Sequence, residues 1–166
     1  HLWRNAEKVL INRKPIPGHA TQPTGEVRMD DWIGETYAPA LMIAEAEKFL
    51  AANGGKPFFL YLPFIEPHVA MHPPRASVER FPAAWDTEVY RGANGYLPHP
   101  RPRAAYAAMI SDLDGYVGRV MAAIENTGAA DRTLAGFTSG NGATPPGPAD
   151  RRLHLGGPHP PFLNPP

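Results

Sequence analysis

The sequence predicts an α/β fold in which parallel central strands are flanked by helices. The first observation is a continuous apolar run over residues 57–63, bounded by prolines, which is typical of a strand buried on both faces. The second is an apolar residue at every third or fourth position through residues 103–126, which indicates an amphipathic helix. Because helical and strand-like segments alternate, right-handed crossovers would make the strands parallel.

The predicted core begins with a helix over residues 37–53. Pro39 is tolerated in its first turn, Thr36 is the expected N-cap, and the glycines at 54 and 55 stop it. Its apolar face is expected to hold Leu41, Met42, Ala46, Phe49 and Leu50. Before this helix, residues 1–35 form an irregular segment with a short strand around Trp3 and residues 9–11.

The remaining elements follow in order after the first buried run. A long loop over residues 75–102 contains a short helical stretch at 77–81. The long helix 103–126 comes next, and residues 133–138 are predicted as the second strand. The expected apolar face of the long helix consists of Tyr106, Met109, Ile110, Leu113, Val117, Val120, Met121 and Ile124. Residues 143–166 are a Pro/Gly-rich tail without periodicity.

Composition excludes several classes of function. The 16 basic and 16 acidic residues balance to zero net charge, which argues against binding nucleic acid through bulk phosphate attraction. The absence of cysteine excludes a disulfide framework, a thiolate zinc site and a cysteine nucleophile within these residues. No apolar run reaches the roughly 20 residues that span a bilayer. A proline-rich interaction module, suggested by 21 prolines, is disfavoured by the helical periodicity.

Two segments are expected at the carboxyl ends of the predicted strands, where open α/β sheets bind ligands. His68 follows the first strand and Asn141 follows the second, so both are placed on one rim. His68 can donate a proton to a leaving group or bind an anion, or it can simply hydrogen-bond the loop backbone. His72 precedes two prolines and is expected to brace the turn. Asn141 can offer an amide oxygen to a hard cation such as calcium, or form part of a tight turn.

Three blocks of sequence, in this order, resemble a sulfatase of the arylsulfatase type. They are residues 56–63 with Glu66, Pro67 and His68; residues 103–110 with 113–114 and 117–119; and residues 133–139 with Asn141 and Gly142. Residues 1–9 are also similar to a loop of bacterial members. The resemblance implies an alkaline-phosphatase-like α/β sandwich, incomplete here, and hydrolysis of sulfate esters.

By this resemblance, residues 1–166 are an internal fragment of a sulfatase catalytic domain, with the α/β core at 36–142. The family oxidises a Cys or Ser in Cys/Ser-x-Pro-x-Arg to formylglycine, whose hydrate attacks sulfur while calcium holds the sulfate oxygens. That motif is missing from these residues, so the fragment alone is expected to be inactive. Strands without their sheet neighbours are expected to leave apolar faces exposed.

The resemblance also assigns roles to single residues. His68 would contact the sulfate and assist the leaving group, and Asn141 would be a calcium ligand. Gly140 stands where the family carries a second, carboxylate ligand, which weakens a site that needs charge to hold calcium. The implied substrate is an aryl sulfate or a sulfated carbohydrate, and the implied location is periplasmic or secreted.

Two other functions stay open. One is an inactive pseudo-sulfatase that binds sulfated glycans or a protein partner, which Gly140 favours. The other is a phosphatase or phosphodiesterase with two metals, which is disfavoured because such sites need more His and Asp ligands near the strand ends.

Overall fold

The computed structural model describes residues 2–14, 16, 23–68, 70–92 and 96–139. An antiparallel hairpin of β1 (Leu2–Arg4) and β2 (Glu7–Val9) precedes the helices α1 (Ala38–Asn53), α2 (Arg75–Glu79) and α3 (Pro102–Asn126). Short 3-10 turns lie at Met29–Asp31, Ala83–Trp85 and Ala130–Arg132. The predictions for Gly140, Asn141 and the tail 143–166 fall outside the described residues.

Helix α1 confirms the first predicted helix, and Ile43 and Leu50 on its inner face are fully buried. Pro39 lies in its first turn, where a missing backbone N–H leaves no hydrogen bond unmade. The prediction that Thr36 caps the helix is wrong. Tyr37 occupies the N-cap without a side-chain bond, and the backbone N–H of Thr36, one residue earlier, donates to Asn12 Oδ1 at 2.7 Å.

Helix α3 confirms the long predicted helix and starts one residue earlier. Its buried face at the N-terminal end includes Ala104, Ala105 and Ala108, whereas the larger Ile110 and Met121 are exposed. Small side chains let neighbouring elements approach a helix closely. The helical spacing predicts that the large apolar residues form the buried face. For Ile110 and Met121 this prediction is wrong, because alanines form much of the buried face.

The hydrophobic core lies at this N-terminal end of α3. Met71 and Val78 pack there with Met29, Met109 and the three alanines, so the segment before α2 and α2 itself are fixed on α3. Helix α1 lies against α3 further along, where Arg119 donates to both carboxylate oxygens of Glu47 at 2.8 and 2.7 Å. The loop that carries His68 therefore connects two elements that are both packed on α3.

The predicted parallel strands are not formed in the described structure, whose sheet contains β1 and β2 alone. Over residues 57–65 exposed and partly buried residues alternate, as in an extended segment covered on one side. Phe58 contacts Phe49 of α1 edge to face, with ring centroids 6.1 Å apart, while Phe59 and Tyr61 are 87% and 77% exposed. The described residues therefore do not show the predicted burial on both faces, which needs sheet neighbours and a second layer.

The second apolar run, residues 133–138, is likewise unpaired in the described structure. Leu134 is 98% exposed and Phe137 is also largely exposed. The exposed apolar faces agree with the expectation for strands that lack their sheet neighbours. Within the described residues, no helix is both long and apolar enough to cross a bilayer.

Candidate functional site

His68 lies in a turn directly after the first apolar run. Its backbone N–H donates to the Ile65 carbonyl at 3.0 Å and closes the turn over Glu66 and Pro67, which are joined by a cis peptide bond. His68 is exposed, so a ligand can reach it in this structure. Its predicted place on the rim of a parallel sheet and its catalytic role both stay predictions.

Glu66 lies in the same turn but is buried, with 6% of its surface exposed. The Tyr37 hydroxyl donates to Glu66 Oε1 at 3.1 Å, and Oε2 has no hydrogen-bond partner among the described residues. Burial raises the pKa of Glu66, and the nearby Asp112 carboxylate adds to the rise, whereas the bond from Tyr37 opposes it. This environment favours the uncharged carboxyl.

Helix α3 supplies the polar surroundings of Glu66 through Asp112 and Tyr116. Burial raises the pKa of Tyr37 and of Tyr116, and the carboxyl groups of Glu66 and Asp112 raise both further. Asp112 itself is ion-paired with Arg80, next to α2. We refer to Tyr37, Glu66, Asp112 and Tyr116 as the Glu66 cluster.

A second polar pair, His72 and His99, follows the His68 loop. Their ring centroids are 5.4 Å apart, and Trp32 lies 6.5 Å from His72. His99 is fully buried, and its Nδ1 accepts a hydrogen bond from the Arg101 N–H at 2.9 Å. Its Nε2 and both nitrogens of His72 are buried without a partner in the described part of the chain. This packing of His72 agrees with the expectation that it braces the turn.

Burial keeps both of these histidines uncharged. It lowers the pKa of His72 to about 4. Burial, and to a lesser degree the neighbouring His72, lower the pKa of His99 to about 3. The backbone of His99 also pairs with Tyr90 through bonds of 3.0 and 2.8 Å, so the proline-rich stretch around it belongs to the packed structure.

The described residues contain no group of three or more His, Cys, Asp or Glu side chains that could hold a metal ion. They do not by themselves form a calcium site. Asn141, the predicted ligand, and Gly140 beside it lie outside the described residues, so the prediction that Asn141 and His68 share one rim stays a prediction. Calcium binding stays a prediction.

The sequence assigns no role to Tyr37, Glu66 or His99, although Glu66 belongs to the first block that carries the family resemblance. One signal was present for Glu66, since it is a lone acid after the apolar Phe64 and Ile65. Carboxylates are seldom fully buried unless paired, so an acid in an apolar stretch indicates a specific environment. No comparable signal was present for Tyr37, whose contact with Glu66 joins residues 29 positions apart.

Comparison with known proteins places the chain in a family. The family model described as Sulfatase matches residues 4–163. The chain therefore belongs to the sulfatase family, whose fold is of the alkaline-phosphatase-like α/β class and whose members, as a family, hydrolyse sulfate esters. The resemblance noted in the sequence is confirmed.

Two curated relatives show how much of a whole protein the chain represents. Steryl-sulfatase of Mus musculus is 33% identical over 99 residues, which cover 60% of this chain and 13% of that protein. The multifunctional alkaline phosphatase superfamily protein PehA of Trinickia caryophylli is 31% identical over 178 residues, covering 85% of this chain and 33% of that protein. The chain thus spans about a third or less of the length of these relatives.

Proposed function

We propose that the whole protein hydrolyses sulfate esters and that His68 contacts the sulfate and protonates the leaving group. A nucleophilic oxygen attacks sulfur, the bond from sulfur to the ester oxygen breaks, and the departing oxygen takes a proton from the imidazole. The observation that carries the proposal is the exposed His68, in the turn after residues 57–63, in a chain of the sulfatase family.

The finer features of the proposal come from the family resemblance. They are a formylglycine nucleophile outside these residues, calcium with Asn141 as one ligand, and a periplasmic or secreted location. The residues 57–63 and 133–138 would pair as parallel central strands in the whole protein. Their exposed apolar side chains, Phe59 and Leu134 among them, support this pairing.

The proposed substrate is an aryl sulfate or a sulfated carbohydrate. The whole protein should be assayed for sulfate release from an aryl sulfate, a sulfated oligosaccharide and a steroid sulfate, with and without a chelator. We expect turnover of at least one ester and its loss on chelation. A whole protein that carries the nucleophile motif and yet releases no sulfate from any of them would contradict the proposal.

A pseudo-sulfatase that binds sulfated glycans or a protein partner is the second candidate. Gly140, at a position where the family has a carboxylate ligand, is the observation that favours it. Loss of one carboxylate weakens a calcium site because affinity depends on the number of charged ligands. Tight binding of a sulfated glycan without release of sulfate would support this candidate over the enzyme.

Replacing Gly140 by Asp is expected to raise the calcium affinity of the whole protein by at least about tenfold, because it restores a charged oxygen ligand. Isothermal titration calorimetry measures the change. Gly142→Asp is the matched control, since it adds the same charge two positions away. Equal affinities in Gly140→Asp and the unaltered protein would contradict the assignment of residues 140 and 141 to a calcium site.

A further inference from the structure

The turn that carries His68 has two side chains with opposite environments. Glu66 is buried and His68, two residues later, is exposed. The bond from the His68 N–H to the Ile65 carbonyl holds both residues in one compact turn. A change in the position of Glu66 would therefore also change the direction of the His68 side chain.

Glu66 is seated against the start of α1. The Tyr37 hydroxyl donates to its Oε1 at 3.1 Å, and Tyr37 is the residue that immediately precedes the helix. Helix α1 is in turn fixed on α3 by packing and by the Arg119–Glu47 pair. The hydrogen bond from Tyr37 to Glu66 thus connects the His68 turn to the packed helices α1 and α3.

The other oxygen of Glu66 gives a second, independent observation. Oε2 is buried without a partner among the described residues, which is costly for a carboxyl group that serves packing alone. The titratable groups around it are Tyr37 from the start of α1 and Asp112 and Tyr116 from α3, with Arg80 pairing Asp112. Since no positive group in the described structure pairs with Glu66 itself, an amide of the same shape should replace the carboxyl with little loss.

We propose that Glu66 is a positioning residue, whose bond from the Tyr37 hydroxyl holds the 65–68 turn so that the imidazole of His68 projects toward the substrate. The proposal rests on the proposed sulfate ester hydrolysis. Displacing a reacting group by about 1 Å can lower a rate by about a hundredfold, so loss of the anchor should affect turnover more than binding.

The test compares Glu66→Gln, Glu66→Ala and Tyr37→Phe in the whole protein. Glutamine keeps an oxygen that accepts from Tyr37, so we expect kcat within about threefold of the unaltered protein. Alanine and the Tyr37→Phe variant remove the bond, and both should lower kcat by roughly ten- to a hundredfold with KM little changed. Glu79→Ala, which removes an exposed carboxylate, is the control and should keep full activity.

The outcomes separate this proposal from the proposed function. Full kcat in both Glu66→Ala and Tyr37→Phe, with turnover by the unaltered protein, would overturn the positioning role and leave the proposed function intact. Equal losses of kcat in Glu66→Gln and Glu66→Ala would also overturn the positioning role, because the glutamine amide should keep the bond from Tyr37 and with it the turnover rate. No sulfate release by the unaltered protein would overturn the proposed function and the positioning role together. Near-ultraviolet circular dichroism of each variant shows whether it remains folded.

Discussion

Replacement of His68 by Ala is expected to lower kcat for sulfate ester hydrolysis by about 10²- to 10⁴-fold, the usual contribution of a positioned general acid. The loss arises because the departing oxygen must then leave as an unprotonated anion. His68 is exposed in its turn, so its removal leaves no cavity and should not unfold the protein. Steady-state kinetics with purified whole protein measures the change.

The leaving group provides an internal control for this prediction. The departure of an alcohol with a high pKa depends strongly on protonation of its oxygen, whereas 4-nitrophenol leaves readily as an anion. We therefore expect His68→Ala to lose far more activity toward an alkyl or sugar sulfate than toward 4-nitrophenyl sulfate. Equal losses for both substrates would mean that His68 binds sulfate without acting as the acid.

The buried pair His72 and His99 is expected to make the protein lose stability in acid. Each folded-state pKa is lowered, to about 4 and about 3, below the value of 6.5 for a free histidine. Above pH 6.5 both states are uncharged and the pair has no effect on how stability changes with pH. As the pH falls below 6.5 the unfolded chain takes up protons that the folded chain does not, so stability falls until the folded-state pKa is reached.

Replacing His72 by Phe should remove part of this acid sensitivity. Both nitrogens of His72 lack partners among the described residues, so no hydrogen bond is lost and the ring still packs on Trp32 and His99. We expect the free energy of unfolding at about pH 7.5 to lie within about 1 kcal/mol of that of the unaltered protein. At about pH 5 the variant should be relatively more stable by about 2 kcal/mol.

Urea unfolding of the whole protein at these two pH values measures this difference. The measurement at the higher pH is the control, because both histidines are uncharged there in either state. The loss of stability between the two pH values should be smaller in the His72→Phe variant than in the unaltered protein. Equal losses would contradict the burial of an uncharged His72.

The helices were predictable because their signals are local. The apolar period and the glycines at 54 and 55 defined α1, and the period through residues 103–126 defined α3. The predicted N-cap at Thr36 missed by one residue, and the hydrogen bonds between the Thr36 backbone and the Asn12 side chain, 24 positions apart, could not be predicted from local sequence. The two apolar runs are not paired as buried strands in the described structure, because burial on both faces depends on sheet neighbours that the described residues do not supply.

The candidate site was predictable in part. His68 could be found from its position after an apolar run and from the family motif. The anchor of its turn could not, because the Tyr37–Glu66 bond is a contact between residues far apart in sequence. The contact between His72 and His99 could not be predicted either, because it also joins residues far apart in sequence. The role of Asn141 as a metal ligand stays a prediction from the sequence motif.

The most direct test of sulfate ester hydrolysis is the ratio of kcat/KM for 4-nitrophenyl sulfate to that for 4-nitrophenyl phosphate, measured on the whole protein. The two substrates share a leaving group, so the ratio reports only the choice between sulfate and phosphate. Membership of the sulfatase family predicts a ratio above one. A ratio well below one would contradict the account and favour a phosphatase of the same superfamily.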